Sequence, residues 1–103
     1  MKEYSRKELK LLYDEFRAGP KEHLGPQWDN ETLAIERKRT RNHDNLTKII
    51  GRKEDVMAYV RYRVRWDTWT TMYDHMALKI TKLIDYEDGW MMARLYKTTY
   101  AGD

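Results

Sequence analysis

No glycine or proline interrupts the chain between Arg52 and Asp88, and across that stretch the rings and aliphatics keep helical spacing. Tyr59, Tyr62, Trp66, Trp69, Tyr73, Met76, Ile80 and Leu83 recur at alternating steps of three and four. Such steps put every one of them on a single helical stripe, the pattern of a core seam or a dimer contact. A rival pattern runs through the same residues. Val60, Tyr62, Val64 and Trp66 alternate with Arg61, Arg63, Arg65 and Asp67, a period of two that suits a strand. The stripe has eight members and the alternation four, so the spacing predicts one long helix over roughly residues 53–85. Its weakest point is the cluster of Thr68, Thr70 and Thr71, which are poor helix formers.

The first helix is well punctuated. Ser5 and Glu8 make a capping box, and Leu9, Leu12, Tyr13 and Phe16 form one apolar face. Gly19 and Pro20 end it, which predicts a helix over 6–18. Residues 19–30 read as a loop, with Leu24 and Trp28 as anchors to the core. Asn30 then caps a second helix that carries Leu33, Ala34 and Ile35. From Glu36 to Asn45 no residue is apolar, so the chain there is a solvated helix end or a basic loop. Residues 45–51 read as a short helix ended by Gly51. The Asp88-Gly89 pair either closes the long helix before a short last one, or turns a hairpin between strands 78–86 and 90–98. Residues 98–103 fray. The expected fold is therefore mainly α: a small helical bundle, a single domain over 1–103, with a helix-turn-helix-like corner and one long aromatic-rich helix. A C-terminal β-hairpin is the competing element.

Composition bounds the class. A chain of 103 residues makes one domain that buries about two-thirds of its unfolded surface. Four Trp, eight Tyr and one Phe stand in for missing aliphatics and argue against disorder. The absence of cysteine excludes disulfides, thiolate zinc sites and thiol nucleophiles, and suits an intracellular protein. No apolar run approaches the ~20 residues that span a bilayer, and Met1 to Arg17 lacks the apolar core of a signal peptide. A cytoplasmic location without membrane contact is expected.

Charge carries the functional clue. Ten of the twenty Lys and Arg lie between Arg37 and Arg65, opposed only by Asp44, Glu54 and Asp55. Elsewhere fourteen carboxylates outnumber ten cations, so the chain sorts its charge and offers a polyanion one basic surface. Arg37, Lys38, Arg39 and Arg41 crowd into five positions and are candidate phosphate contacts, extended by Arg52, Lys53, Arg61 and Arg65. A solvated helix face is the plain alternative for such a run. Leu46, Ile50, Gly51, Met57 and Val60 occupy the apolar and turn positions of a helix-turn-helix corner. Arg52 and Thr47 depart from that motif, and Glu54 and Asp55 would repel phosphates at the start of its second helix.

Tyr59, Tyr62, Trp66, Trp69 and Tyr73 are the candidate partner or dimer seam. Beside Arg61, Arg63 and Arg65 they could also stack exposed bases. Catalysis is not expected. Ser5 is the one serine and serves as a cap, and the five glycines form no phosphate loop. His43-Asp44 and Asp74-His75 lack metal-ligand spacing, as does His23, so neither a metal nor any other cofactor is expected. The leading expectation is a small non-catalytic nucleic-acid-binding regulator or accessory protein, for DNA or RNA. The second is a protein-interaction module, such as a phage-type inhibitor, that docks on an acidic nucleic-acid-binding protein. A homodimer through the seam is compatible with both.

Overall fold

The computed structural model describes residues 1–18, 33–39, 45–70 and 78–97, with 66–70 described as backbone alone. The elements run β1 (Lys2–Glu3), α1 (Arg6–Arg17), β2 (Leu33–Arg39), β3 (Asn45–Arg52), α2 (Lys53–Thr70), β4 (Leu78–Asp85) and β5 (Trp90–Lys97). The strands form one antiparallel sheet in the order β1-β4-β5-β3-β2. β3 and β4 both pair antiparallel with β5, so they run parallel to each other with β5 inserted between them. α2 is the crossover that joins them.

Both helices cover one face of this sheet. Leu9 and Phe16 of α1 share a core with Val56, Tyr59, Val60 and Val64 of α2 and with the inward residues of four strands. Those inward residues alternate as a half-buried sheet requires, save for one extra residue between Ile80 and Leu83: Leu33 on β2, Thr47 and Ile49 on β3, Leu78, Ile80 and Leu83 on β4, Met91, Ala93 and Leu95 on β5. The fold is thus a two-layer α/β arrangement dominated by its sheet, which corrects the expected helical bundle. The helix-turn-helix corner does not form, because Leu46, Ile50 and Gly51 lie on strand β3. Residues 33–35, expected in a second helix, begin strand β2, where Leu33 packs inward. Residues 36–39 of the basic run continue that strand rather than a helix end or loop.

The long helix is also corrected. α2 is helical through Thr70, but residues 78–85 are strand, so Ile80 and Leu83 leave the stripe for β4. Its buried side is Val56, Val60 and Val64 with Tyr59, a true helical repeat of four. The β-like alternation of residues 60–66 is overridden by this packing. The hairpin that competed with the helical reading is present: Asp85 and Trp90 flank its turn. Gly89 takes φ +95° there, a backbone state that side-chain-bearing residues rarely adopt. The Trp90 amide donates to Asp88 Oδ1 at 3.0 Å, and the Gly89 carbonyl accepts from the Lys53 amide at the start of α2 at 2.9 Å. The turn therefore satisfies one of the orphan amides of that helix.

α1 matches its signals. Glu8 N–H donates to Ser5 Oγ at 3.1 Å, and Ser5 N–H returns a bond to Glu8 Oε1 at 2.9 Å. The Ser5 amide, with Lys2 beside it, holds the Glu8 carboxyl down at about 2. At its other end Arg65 Nε donates to the Phe16 carbonyl at 3.0 Å, tying α2 to the last turn of α1. The expected loop over 19–30, its anchors Leu24 and Trp28, the Asn30 cap, Gly19, Pro20 and the tail 98–103 lie outside the described residues. No helix among the described residues is long and apolar enough to cross a membrane.

Candidate nucleic-acid interface

The face of the sheet turned away from the helices carries no covering layer among the described residues. Residues directly opposite in an antiparallel pair share a face, so the register writes this surface out in rows. The first row is Lys38, Leu46, Tyr96 and Lys79. The second is Glu36, Lys48, Arg94 and Lys82. The third is Ala34, Ile50, Met92 and Ile84, with Glu3 at the edge. Arg52 and Trp90 close the last row, with Tyr86 in the adjoining turn.

Two properties stand out. Rings and aliphatics lie open to solvent, with Trp90 46% exposed, Ile50 and Tyr86 37% and Leu46 36%. Cations surround them: Lys38, Lys48, Arg52, Lys79, Lys82 and Arg94 face Glu3 and Glu36, six charges against two. Arg94 has a lysine opposite it on each side, Lys48 on β3 and Lys82 on β4. Like charges directly opposite one another destabilise a sheet, so this row favours an external counter-charge. Among the described residues only its ends are relieved: Glu36 faces Lys48 across β2 and β3, and Lys82 Nζ lies 3.5 Å from Glu3. The Arg52 guanidinium sits over the Trp90 ring, 5.8 Å from its centroid.

The residues expected to form the site are divided by the fold. Lys38 and Arg52 reach the open face. Arg37 and Arg39 alternate to the helix side of β2. Lys53 is engaged elsewhere: its Nζ lies 2.8 Å from Asp85 Oδ2. That contact raises the Lys53 pKa above its ordinary value, while Lys53 and then the Glu87 amide lower that of Asp85. Arg61 is exposed on α2, away from the open face, and Arg65 caps α1. Tyr59 is core and Tyr62 is half-buried beside the sheet, so neither forms an outward seam. Trp66 and Trp69 lie on α2, where the backbone alone is described. Arg41, Tyr73 and the three histidines lie outside the described residues.

Lys48, Lys79, Lys82, Arg94, Trp90, Tyr86 and Tyr96 were not among the expected site residues. For Trp90, Arg94 and Tyr96 the signal is the alternation of Trp90, Met92, Arg94 and Tyr96 against Met91, Ala93 and Leu95, readable only if residues 90–98 are taken as strand. Neither family models, nor curated proteins, nor solved structures provide a match to this chain.

Proposed function

We propose that the protein is a small non-catalytic, cytoplasmic nucleic-acid-binding accessory factor that takes single-stranded nucleic acid on the open face of its sheet. The observation that carries this reading is the cross-sheet row Lys48–Arg94–Lys82 on the same face as the exposed rings of Trp90 and Tyr86. Phosphates would neutralise the row, and bases would stack on Trp90, Tyr86 and Tyr96, as a flat ring-bearing surface allows. A duplex groove calls for a projecting helix or ribbon, and a broad sheet face offers neither. The test is fluorescence anisotropy with single-stranded DNA, single-stranded RNA and duplex DNA across a salt series. Single strands should bind best. Lys48→Ala and Arg94→Ala should each release one phosphate and flatten the log–log salt slope by about 0.7. Equal or better binding to the duplex, or slopes unchanged by both substitutions, would remove the sheet face from consideration.

A second reading rests on a groove of about 870 Å³ between α1 and β4. Leu9, Ile80 and Tyr13 give it an apolar lining, and Arg6, Lys10 and Arg17 give it a basic rim. Its charge suits an acidic segment of a protein partner. A purified acidic partner whose binding is lost on Lys10→Glu, and not on Arg94→Ala, would favour this reading over the first.

A further inference from the structure

The open face changes character along its strands. Lys48, Arg94 and Lys82 stand side by side in one row, while Arg52, Trp90 and Tyr86 lie at the hairpin end of the sheet. Arg94 and Trp90 are four residues apart on β5, which separates the charged row from the rings by about 13 Å. The row between them, Ile50, Met92 and Ile84, is apolar. The Tyr86 amide donates to the Trp90 carbonyl at 3.0 Å, so these two exposed residues face each other across the hairpin and their rings share the open face. Arg52, over the Trp90 ring, is a cation at this end.

Past the rings the charge reverses. The Lys53 amide donates to the Gly89 carbonyl at 2.9 Å, which brings Glu54 and Asp55 in the first turn of α2 up to the hairpin. The turn itself adds Glu87 and Asp88. Glu87 is met by the terminal amine of Met1 at 3.3 Å, and Asp88 accepts from the Trp90 amide at 3.0 Å. Among the described residues no cation pairs with Asp88 or Glu54, and both are exposed. Carboxylates suit the start of a helix and the corner of a turn, which accounts for their place in the fold. The same charges confront any anion that reaches past the rings. A stacked base carries no charge to be repelled. A phosphate beyond it does, and a terminal monoester carries about −1.5 to −2.

We propose that the open face holds the end of a single strand rather than its interior, an inference that rests on that face being the strand-binding surface. The row Lys48–Arg94–Lys82 takes backbone phosphates, and Trp90 and Tyr86 take the terminal base. Asp88 and Glu54 exclude a phosphate on the far side of that base. The ligand is therefore a strand terminus with a free hydroxyl, 5′ or 3′ according to the direction in which the strand crosses the sheet.

Isothermal titration calorimetry of the full chain at low salt tests this with four ligands. They are a short single-stranded oligonucleotide with hydroxyls at both ends, the same oligonucleotide with a 5′-phosphate or with a 3′-phosphate, and a closed circular strand of the same base composition. A phosphate at one end should weaken binding about tenfold, and at the other it should leave binding unchanged or tighter. The end that is penalised gives the direction of the strand. The circle should also bind about tenfold more weakly than the hydroxyl-ended strand, because each base it offers to Trp90 has a phosphate on both sides. Asp88→Asn keeps an oxygen for the Trp90 amide, and combined with Glu54→Gln it should cut the penalty to about threefold or less, with the fold intact by circular dichroism. Equal binding of all three linear strands, equal binding of the circle, or a full penalty in the folded double variant overturns the end-binding site. If the circle binds as tightly as the linear strand and Arg94→Ala still weakens it, the open face stands and only the preference for an end falls. If no single strand binds, the open face falls and the end site with it.

Discussion

Asp85 shows how one side chain can take a cation out of a functional role. Lys53 reads in the sequence as part of the basic block, yet its ammonium is held by the Asp85 carboxylate at the junction of β3, α2 and β4. The Asp85 pKa is lowered from 3.8 by that bond and by the Glu87 amide. A lowered folded pKa contributes stability that is present above about 4 and is lost as pH falls through the folded value. Lys53, raised from 10.5, contributes at its fullest below that value and loses its contribution as pH climbs past the folded one. Urea unfolding from pH 6 down to pH 2 should therefore show a smaller acid-side loss for Asp85→Asn than for the wild type. Parallel curves would mean that the pair contributes nothing. Gly89 makes a different kind of residue-scale prediction. A Cβ there would meet nothing within 4 Å, so the need for glycine is purely its φ of +95°. Gly89→Ala should lower the unfolding free energy by about 1–2 kcal/mol by chemical denaturation, and an unchanged midpoint would contradict it.

At the scale of elements, legibility depended on whether one signal spoke alone. The capping box and the apolar face of α1 agreed, and the helix formed where both put it. The Asp88-Gly89 turn was readable too, but a longer helical pattern outweighed it. That pattern was an accident of a β-bulge. In β4 the register passes from Ile80 opposite Leu95 directly to Lys82 opposite Arg94, which leaves Thr81 as the extra residue. The bulge turns a strand step of two into the step of three between Ile80 and Leu83, and so extends the α2 stripe. β3 and β5 hid for another reason: Ile49-Ile50 and Met91-Met92 put apolar side chains on both faces and blur the period of two. Deleting Thr81 would leave Leu78, Ile80, Leu83 and Asp85 in strict alternation and the pairing unshifted. The deletion variant should fold, with its β-sheet circular dichroism retained and cooperative melting. Loss of cooperative melting would show that the bulge is needed for the sheet.

For the molecule as a whole, the sequence made the charge legible and hid its geometry. Lys38 and Arg52 were among the expected contacts and do lie on the open face. The others are divided among the helix side of β2, the Asp85 contact, the surface of α2 and the cap of α1, while Arg41 lies outside the described residues. Lys48, Lys79, Lys82 and Arg94 come from three strands, and only cross-strand register makes them neighbours. A run of charge along the chain is easy to see; a row across a sheet is invisible until the strands and the bulge are known. The aromatic stripe divides too: Tyr59 takes the core place that its spacing allowed, while Trp90 and Tyr86 carry exposed rings outside the stripe.

The central proposal is that the face of the sheet turned away from the helices, which carries no covering layer among the described residues, holds a single nucleic-acid strand. Amide and indole chemical-shift mapping of the ¹⁵N-labelled protein, titrated with a short single-stranded oligonucleotide lacking a terminal phosphate, tests it most directly. The largest shifts should fall on Lys48, Ile50, Trp90, Met92, Arg94 and Tyr96, and Trp90→Ala should weaken binding by about 1–3 kcal/mol for the stacked base it removes. Shifts confined to α1, α2 and the helix side of β2, with the open face silent, would contradict the claim.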